Sequence, residues 1–224
     1  MKILVVAPHP DDAELAMGGT IAKLVANGHG VTVCDLTDGE PTPFGSREIR
    51  AREAEAATAV LGVRRINAGL VNREVRADLA SRRVVATIIR AEQPDVVFSP
   101  YPRDAHPDHV AATALIRDAR FEAKYVKSDL PGAPCYPRWH MHYFATHLRI
   151  VPQPDFIVDT TGFAEVKQRS IACYASQVSV NPANRRLPIW IAAADTYFGS
   201  RIGAESGEPF ACEEPLDLSS LGWL

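Results

Sequence analysis

Two short stretches concentrate the side chains that hold metal ions and move protons: Pro8-His9-Pro10-Asp11-Asp12 and Asp104-Ala105-His106-Pro107-Asp108-His109. His9 and Asp12 stand three apart across a turn, which lets both side chains point into one crevice. His109 falls in the first turn of an expected helix, with Pro107 near the N1 position that proline favours. Two imidazoles and one carboxylate leave at least one coordination position open, the pattern of a catalytic rather than a structural Zn2+ site. Fe2+ accepts the same donors. Asp11 cannot easily share that ion with its neighbour, but it can hang over the open position as a general base. His106, three residues before His109, could face the same opening and stabilise an oxyanion or protonate a leaving amine. Asp108 could orient His106 by accepting from its other ring nitrogen. The set suffices to hydrolyse an amide.

Each of these residues alone has a plainer explanation. A His or Asp after a strand is usually a cap or turn residue, and His-Pro and Asp-Pro dipeptides recur in turns for conformational reasons. Two such clusters, each following an expected strand, are harder to dismiss. His29, His140, His142 and His147 read as surface or core residues. His140 and His142 share one face of a strand, with nothing to place them near the site.

The elements that must position the clusters follow from periodicity. Residues 3–7 form an aliphatic run that stops at the Pro-His-Pro turn, as a strand buried on both faces does. A helix with Ile21, Leu24 and Val25 on one side comes next, closed by Asn27-Gly28. A strand over 31–36, a helix over 46–61, a short strand near 65–68, a helix over 77–92 and an apolar strand ending near Ser99 complete the first hundred residues. That alternation predicts a doubly wound α/β sheet. Farther on, strands are expected at 144–151 and 156–159, and helices at 163–175 and 189–202. In such sheets ligands collect beyond the carboxyl ends of the strands. Adjacent parallel strands would bring the two clusters together there.

Composition narrows the class. The 224 residues are 46% hydrophobic and 23% charged, which suits one globular domain over 1–224. A net charge of −3 argues against nucleic acid as a partner; the pairs Arg64-Arg65, Arg82-Arg83 and Arg185-Arg186 read as solvated faces. The N-terminal apolar run is too short for a secretory signal, and no stretch is long enough to span a membrane. Four scattered cysteines without a C-x-x-C pair argue against a disulfide framework or a thiolate zinc site and suit the reducing cytoplasm.

The two clusters resemble the hallmarks of the LmbE/PIG-L family of zinc-dependent N-acetylglucosamine deacetylases. The likeness extends through Glu14-Leu15, Gly18-Gly19-Thr20, Thr37-Asp38-Gly39-Glu40 (with Asp38 where the family usually has Arg) and Arg50-Ala51-Arg52-Glu53. It continues in Lys167 through Tyr174-Ala175-Ser176-Gln177 and in the stretch from Gly203 to Phe210. These later segments look most like the branch that deacetylates N-acetylglucosaminyl-malate in bacillithiol biosynthesis. The resemblance implies a Rossmann-like three-layer fold with a mostly parallel sheet and Zn2+ on His9, Asp12 and His109. It also implies Asp11 as base, His106 as electrostatic stabiliser and possible acid with Asp108 its partner, and Arg50 at the substrate end. The expected partner is a small N-acetyl amino-sugar conjugate, and the branch suggests a homo-oligomer. Residues 41–45 match no motif. Two rivals share the donor set: a non-haem Fe(II) oxygenase and a sugar-binding protein without catalysis. The pairing of Asp11 with His106 counts against both.

Overall fold

A computed structural model of the chain describes residues 1–144 and 150–217. The first half alternates strand and helix: β1 (Lys2–Ala7), α1 (Asp12–Ala26), β2 (Gly30–Thr37), α2 (Arg47–Leu61), β3 (Arg64–Leu70), α3 (Leu79–Glu92), β4 (Val96–Pro100) and α4 (Pro107–Ala123). The second half adds β5 (Trp139–Tyr143), β6 (Phe156–Asp159), α5 (Ala164–Ala172), α6 (Leu187–Ser200) and β7 (Gly207–Ala211). The seven strands form one sheet in the order β3-β2-β1-β4-β5-β7-β6. β1 to β5 run parallel, and β7 pairs antiparallel with both neighbours.

Side chains alternate along β1 and divide the core into two layers. Ile3, Val5 and Ala7 face Met17, Ile21 and Leu24 of α1. Leu4 and Val6 face Val85 and Ile89 of α3 and Leu115 and Ile116 of α4. Each fully buried aliphatic side chain of this kind contributes about 1.5–3 kcal/mol relative to exposure. Helix ends follow local chemistry. The hydroxyl of Ser46 accepts the Ile49 N–H to begin α2, and Gly62, at φ 68°, ends it. Asp78 accepts from Ser81 and starts α3 two residues later than periodicity alone suggests. Sequence reasoning did not anticipate β7, and the strand expected at 144–151 falls largely outside the described residues, as does His147. No described helix is long and apolar enough to cross a membrane.

α1 is broken. Met17 leaves helical geometry (φ −144°, ψ 26°), so the N–H groups just beyond it lose their partners within the helix. Glu208 of β7, fully buried, takes two of them: Gly19 N–H donates to Oε1 at 2.9 Å and Thr20 N–H to Oε2 at 2.6 Å. Lys167 of α5 compensates the charge, with Nζ 2.7 Å from Glu208 and 2.9 Å from Asp195 of α6. A Cβ on Gly18 would stand 3.0 Å from Lys167 Cγ, so the glycine leaves room for that approach.

Candidate metal centre

On either side of β1 the chain winds in opposite directions, to β2 and β3 one way and to β4 and β5 the other. Open α/β sheets place their ligand crevice at this switch point. The turn after β1 carries His9 and Asp12; the loop after β4 carries 104–109. The two clusters meet here.

Ligand atoms of His9, Asp12 and His109 lie within 4.8 Å of one another. Oδ2 of Asp12 faces both imidazoles, 3.1 Å from His9 Nδ1 and 3.3 Å from His109 Nε2. Behind each ring stands a further carboxylate. His9 Nε2 lies 3.2 Å from Asp108 Oδ2, and His109 Nδ1 lies 3.2 Å from Asp104 Oδ2. This carboxylate-histidine relay fixes which nitrogen faces inward, as metal sites require. Burial alone would lower both histidines. The hydrogen bonds from Asp108 and Asp12 instead hold His9 up at about 9, and Asp12 and Asp104 hold His109 up at about 10. Burial would raise Asp12, but the two imidazoles hold it well below the usual carboxylate range. Two imidazole nitrogens and one carboxylate oxygen converging within 4.8 Å, with a further carboxylate behind each ring, form a donor set that fits a divalent cation. His9, His106 and Asp108 form a second cluster of ligand-type atoms. Asp108 Oδ2 is already occupied there, accepting the Arg73 N–H at 2.8 Å as well as facing His9, which favours the first set.

Asp11 adopts φ 118°, a region non-glycine residues reach at a cost of about 1–3 kcal/mol. It begins α1 without capping it by its side chain. Its carboxylate lies 3.3 Å from Arg50 Nη1, while Arg50 Nη2 donates to Pro10 O at 2.6 Å. Burial raises the Asp11 carboxyl to about 6 against the opposing charge of Arg50. The Arg50 side chain is 3% exposed and lines the cleft; its Nη1 and Nη2 hold the 10–11 turn, while its Nε is buried without a hydrogen-bond partner among the described residues. Gly39, at φ 75°, makes room for it: a Cβ there would stand 2.5 Å from Nη2.

The expected Asp108–His106 contact is not the one formed by the carboxylate. His106 is the N-cap of α4, so its Nδ1 turns to accept the Asp108 backbone N–H at 3.1 Å. The Asp108 carboxylate is thereby directed to His9. An Nδ1 that accepts assigns the ring proton of neutral His106 to Nε2. Burial and the neighbouring His109 and His9 push this ring below its ordinary value. Arg65, expected on a solvated face, is instead buried: it clamps Asp35 bidentately and reaches Glu14 Oε1 at 2.6 Å, tying the start of α1 to β2 and β3. His140 and His142 are buried around Ser99 Oγ, at 2.8 and 3.0 Å, and neither lines the cleft.

Residue spacing did not reveal Asp104. Asp104→Asn is expected to weaken metal affinity about 10–100-fold with the fold intact; competitive titration with a chromophoric chelator measures it, and unchanged affinity would remove the relay assigned to this residue.

Residues 4–120 match the family model described as GlcNAc-PI de-N-acetylase, PIG-L. The chain belongs to the PIG-L family. It is 31% identical to diacetylchitobiose deacetylase of Thermococcus kodakarensis over 79% of this chain and 70% of that one. A probable N-acetyl-alpha-D-glucosaminyl L-malate deacetylase 2 of Bacillus anthracis is 32% identical over 52% of this PIG-L member and 58% of the relative. A solved structure of a conserved protein from Thermus thermophilus, 33% identical, superposes with a TM-score of 0.89, covering 96% of this chain and 95% of that one.

Proposed function

We propose that this PIG-L protein, as one catalytic domain over 1–224, hydrolyses the acetamide of an N-acetylglucosamine conjugate to acetate and the free amine. The observation that supports this best is one cleft lined by a three-donor metal set, a strained carboxylate outside that set and a histidine whose Nδ1 accepts the Asp108 N–H. A divalent cation, Zn2+ by the nature of the donors and Fe2+ as the alternative, is held by His9, Asp12 and His109; when bound it supplies Lewis acidity and an acidified water. Asp11 accepts the proton of the attacking water, held in place by Arg50. His106 Nε2–H donates to the acetamide oxygen as negative charge builds there. The proton taken by Asp11 then passes to the departing nitrogen. Arg50 lines the cleft at the substrate end and also holds Asp11. An oxygenase or a binding module would have no use for Asp11.

Acetate release from N-acetylglucosamine bearing malate, inositol, a second sugar or no substituent, with Zn2+ and with Fe2+, tests the proposal. Release that depends on an added divalent ion is expected. No release from any of the four would overturn it.

A further inference from the structure

Two of the cleft's walls are built differently. One begins at Gln177 and Val178. Tyr174 and Val178 are buried in an apolar cluster with residues of α1, α2, α5 and α6. Between them Ser176 gives both its N–H and its hydroxyl to the carboxylate of Glu53 on α2, each at 2.7 Å. Gln177 stands on this post and is held firmly. The facing wall, Gly39 with Pro41, Thr42 and Pro43, has no such anchor. Pro41 and Pro43 are exposed, and Phe44, the one aromatic side chain of the loop, is 42% exposed. Segments with few buried apolar contacts open at low cost. The ends of this loop are nevertheless drawn together at its base, where Asp38 accepts the Glu40 N–H at 2.9 Å and pairs with Arg47 at 2.9 Å.

Above that base the Glu40 carboxylate takes both donors of Thr42, the N–H at 2.9 Å and the hydroxyl at 2.7 Å. Thr42 Oγ1 is then left to accept from Gln177 Nε2 at 3.3 Å, across the cleft. Among the described residues no other hydrogen bond joins 39–45 to 174–193. Gly45 lies against this tie: a Cβ there would stand 2.5 Å from Glu40 Oε1 and 2.8 Å from Thr42 Oγ1. Its φ lies outside the left-handed region, so the glycine serves space and not conformation. A methyl group at 45 would push the Glu40 carboxylate, the free end of a flexible side chain, off Thr42 and loosen the tie.

We propose that residues 40–45 are a strap, hinged at the Asp38–Arg47 pair and tied by Thr42 to Gln177, which swings off to admit an N-acetylated sugar and is retied over it. The missing side chain of Gly45 is what lets the tie close. The inference rests on reading the cleft as the sugar site of a deacetylase, and its test separates the two.

Amide hydrogen exchange at 40–45 is measured in wild type, Gly45→Ala, Gln177→Ala and the double variant. It is repeated with saturating N-acetylglucosamine on an Asp11→Asn background, where nothing turns over. In the free protein each single change is expected to speed exchange of the Thr42 amide about tenfold, and the double variant no further, because both cut one tie. Exchange in β1 and α4 should not move. The sugar should slow Thr42 exchange about tenfold in Asp11→Asn, and leave it unchanged once Gly45→Ala is added. On the active enzyme Gly45→Ala should raise KM about tenfold with little change in kcat. Effects of the two changes that add, or exchange that the sugar leaves unaltered in Asp11→Asn, would make 40–45 a fixed wall and overturn the strap. If wild type releases no acetate from any conjugate, the deacetylase reading falls, and exchange in the free protein still decides the tie.

Discussion

Replacing His109 by alanine is expected to strip the protein of its divalent ion and to lower acetamide hydrolysis by at least about a thousandfold. His109 is 1% exposed, and its Nε2 stands 3.3 Å from Asp12 Oδ2. Removal leaves one imidazole and one carboxylate, too few donors to hold Zn2+ in its usual coordination. An ion that polarises a carbonyl lowers the barrier by several kcal/mol, and each 1.36 kcal/mol is a factor of ten in rate. Elemental analysis after gel filtration measures the first effect and acetate release the second; circular dichroism confirms that the fold survives. Full metal content together with wild-type turnover would mean that the ion is held elsewhere.

Asp11→Asn separates the base from the ligands. The variant is expected to keep its metal and to lose about a hundred- to ten-thousandfold in kcat, the range a positioned base contributes. Asparagine tolerates positive φ better than most residues, so the backbone at φ 118° is disturbed less than by alanine, and the amide can still accept from Arg50. Metal content measured alongside kcat makes the result specific. Turnover equal to wild type would assign the proton transfer to another group.

Some elements were readable because one physical cause dominated them. Residues 3–7 and 96–98 are buried on both sides, and an unbroken aliphatic run has few other uses. β7 was not readable: Gly207-Glu208-Pro209 opens it with residues that strands avoid, and its glutamate makes sense only against the break in a helix nearly two hundred residues earlier. In β5 the two histidines, read from the sequence as surface or core residues, are core residues packed on Ser99. At the site, residue types and the parallel pairing of β1 with β4 were enough to expect that His9, Asp12 and His109 converge. Which carboxylate supports which ring was beyond reach. Asp108 is nearer to His106 in sequence, but helix capping turns the ring toward the backbone and sends the carboxylate to His9. Asp104 reaches His109 through a loop whose path no spacing rule encodes.

The interruption of α1 at Met17 partitions mutational tolerance along what looks like one continuous rod. Its front turn, clamped through Glu14 to Arg65, sets where Asp12 sits. Its rear portion is anchored separately by Glu208 and Lys167. Fraying or surface drift toward Ala26 therefore stops at the joint instead of tilting the ligand, and the remote half can change for the sake of stability while the geometry felt by the ion stays put.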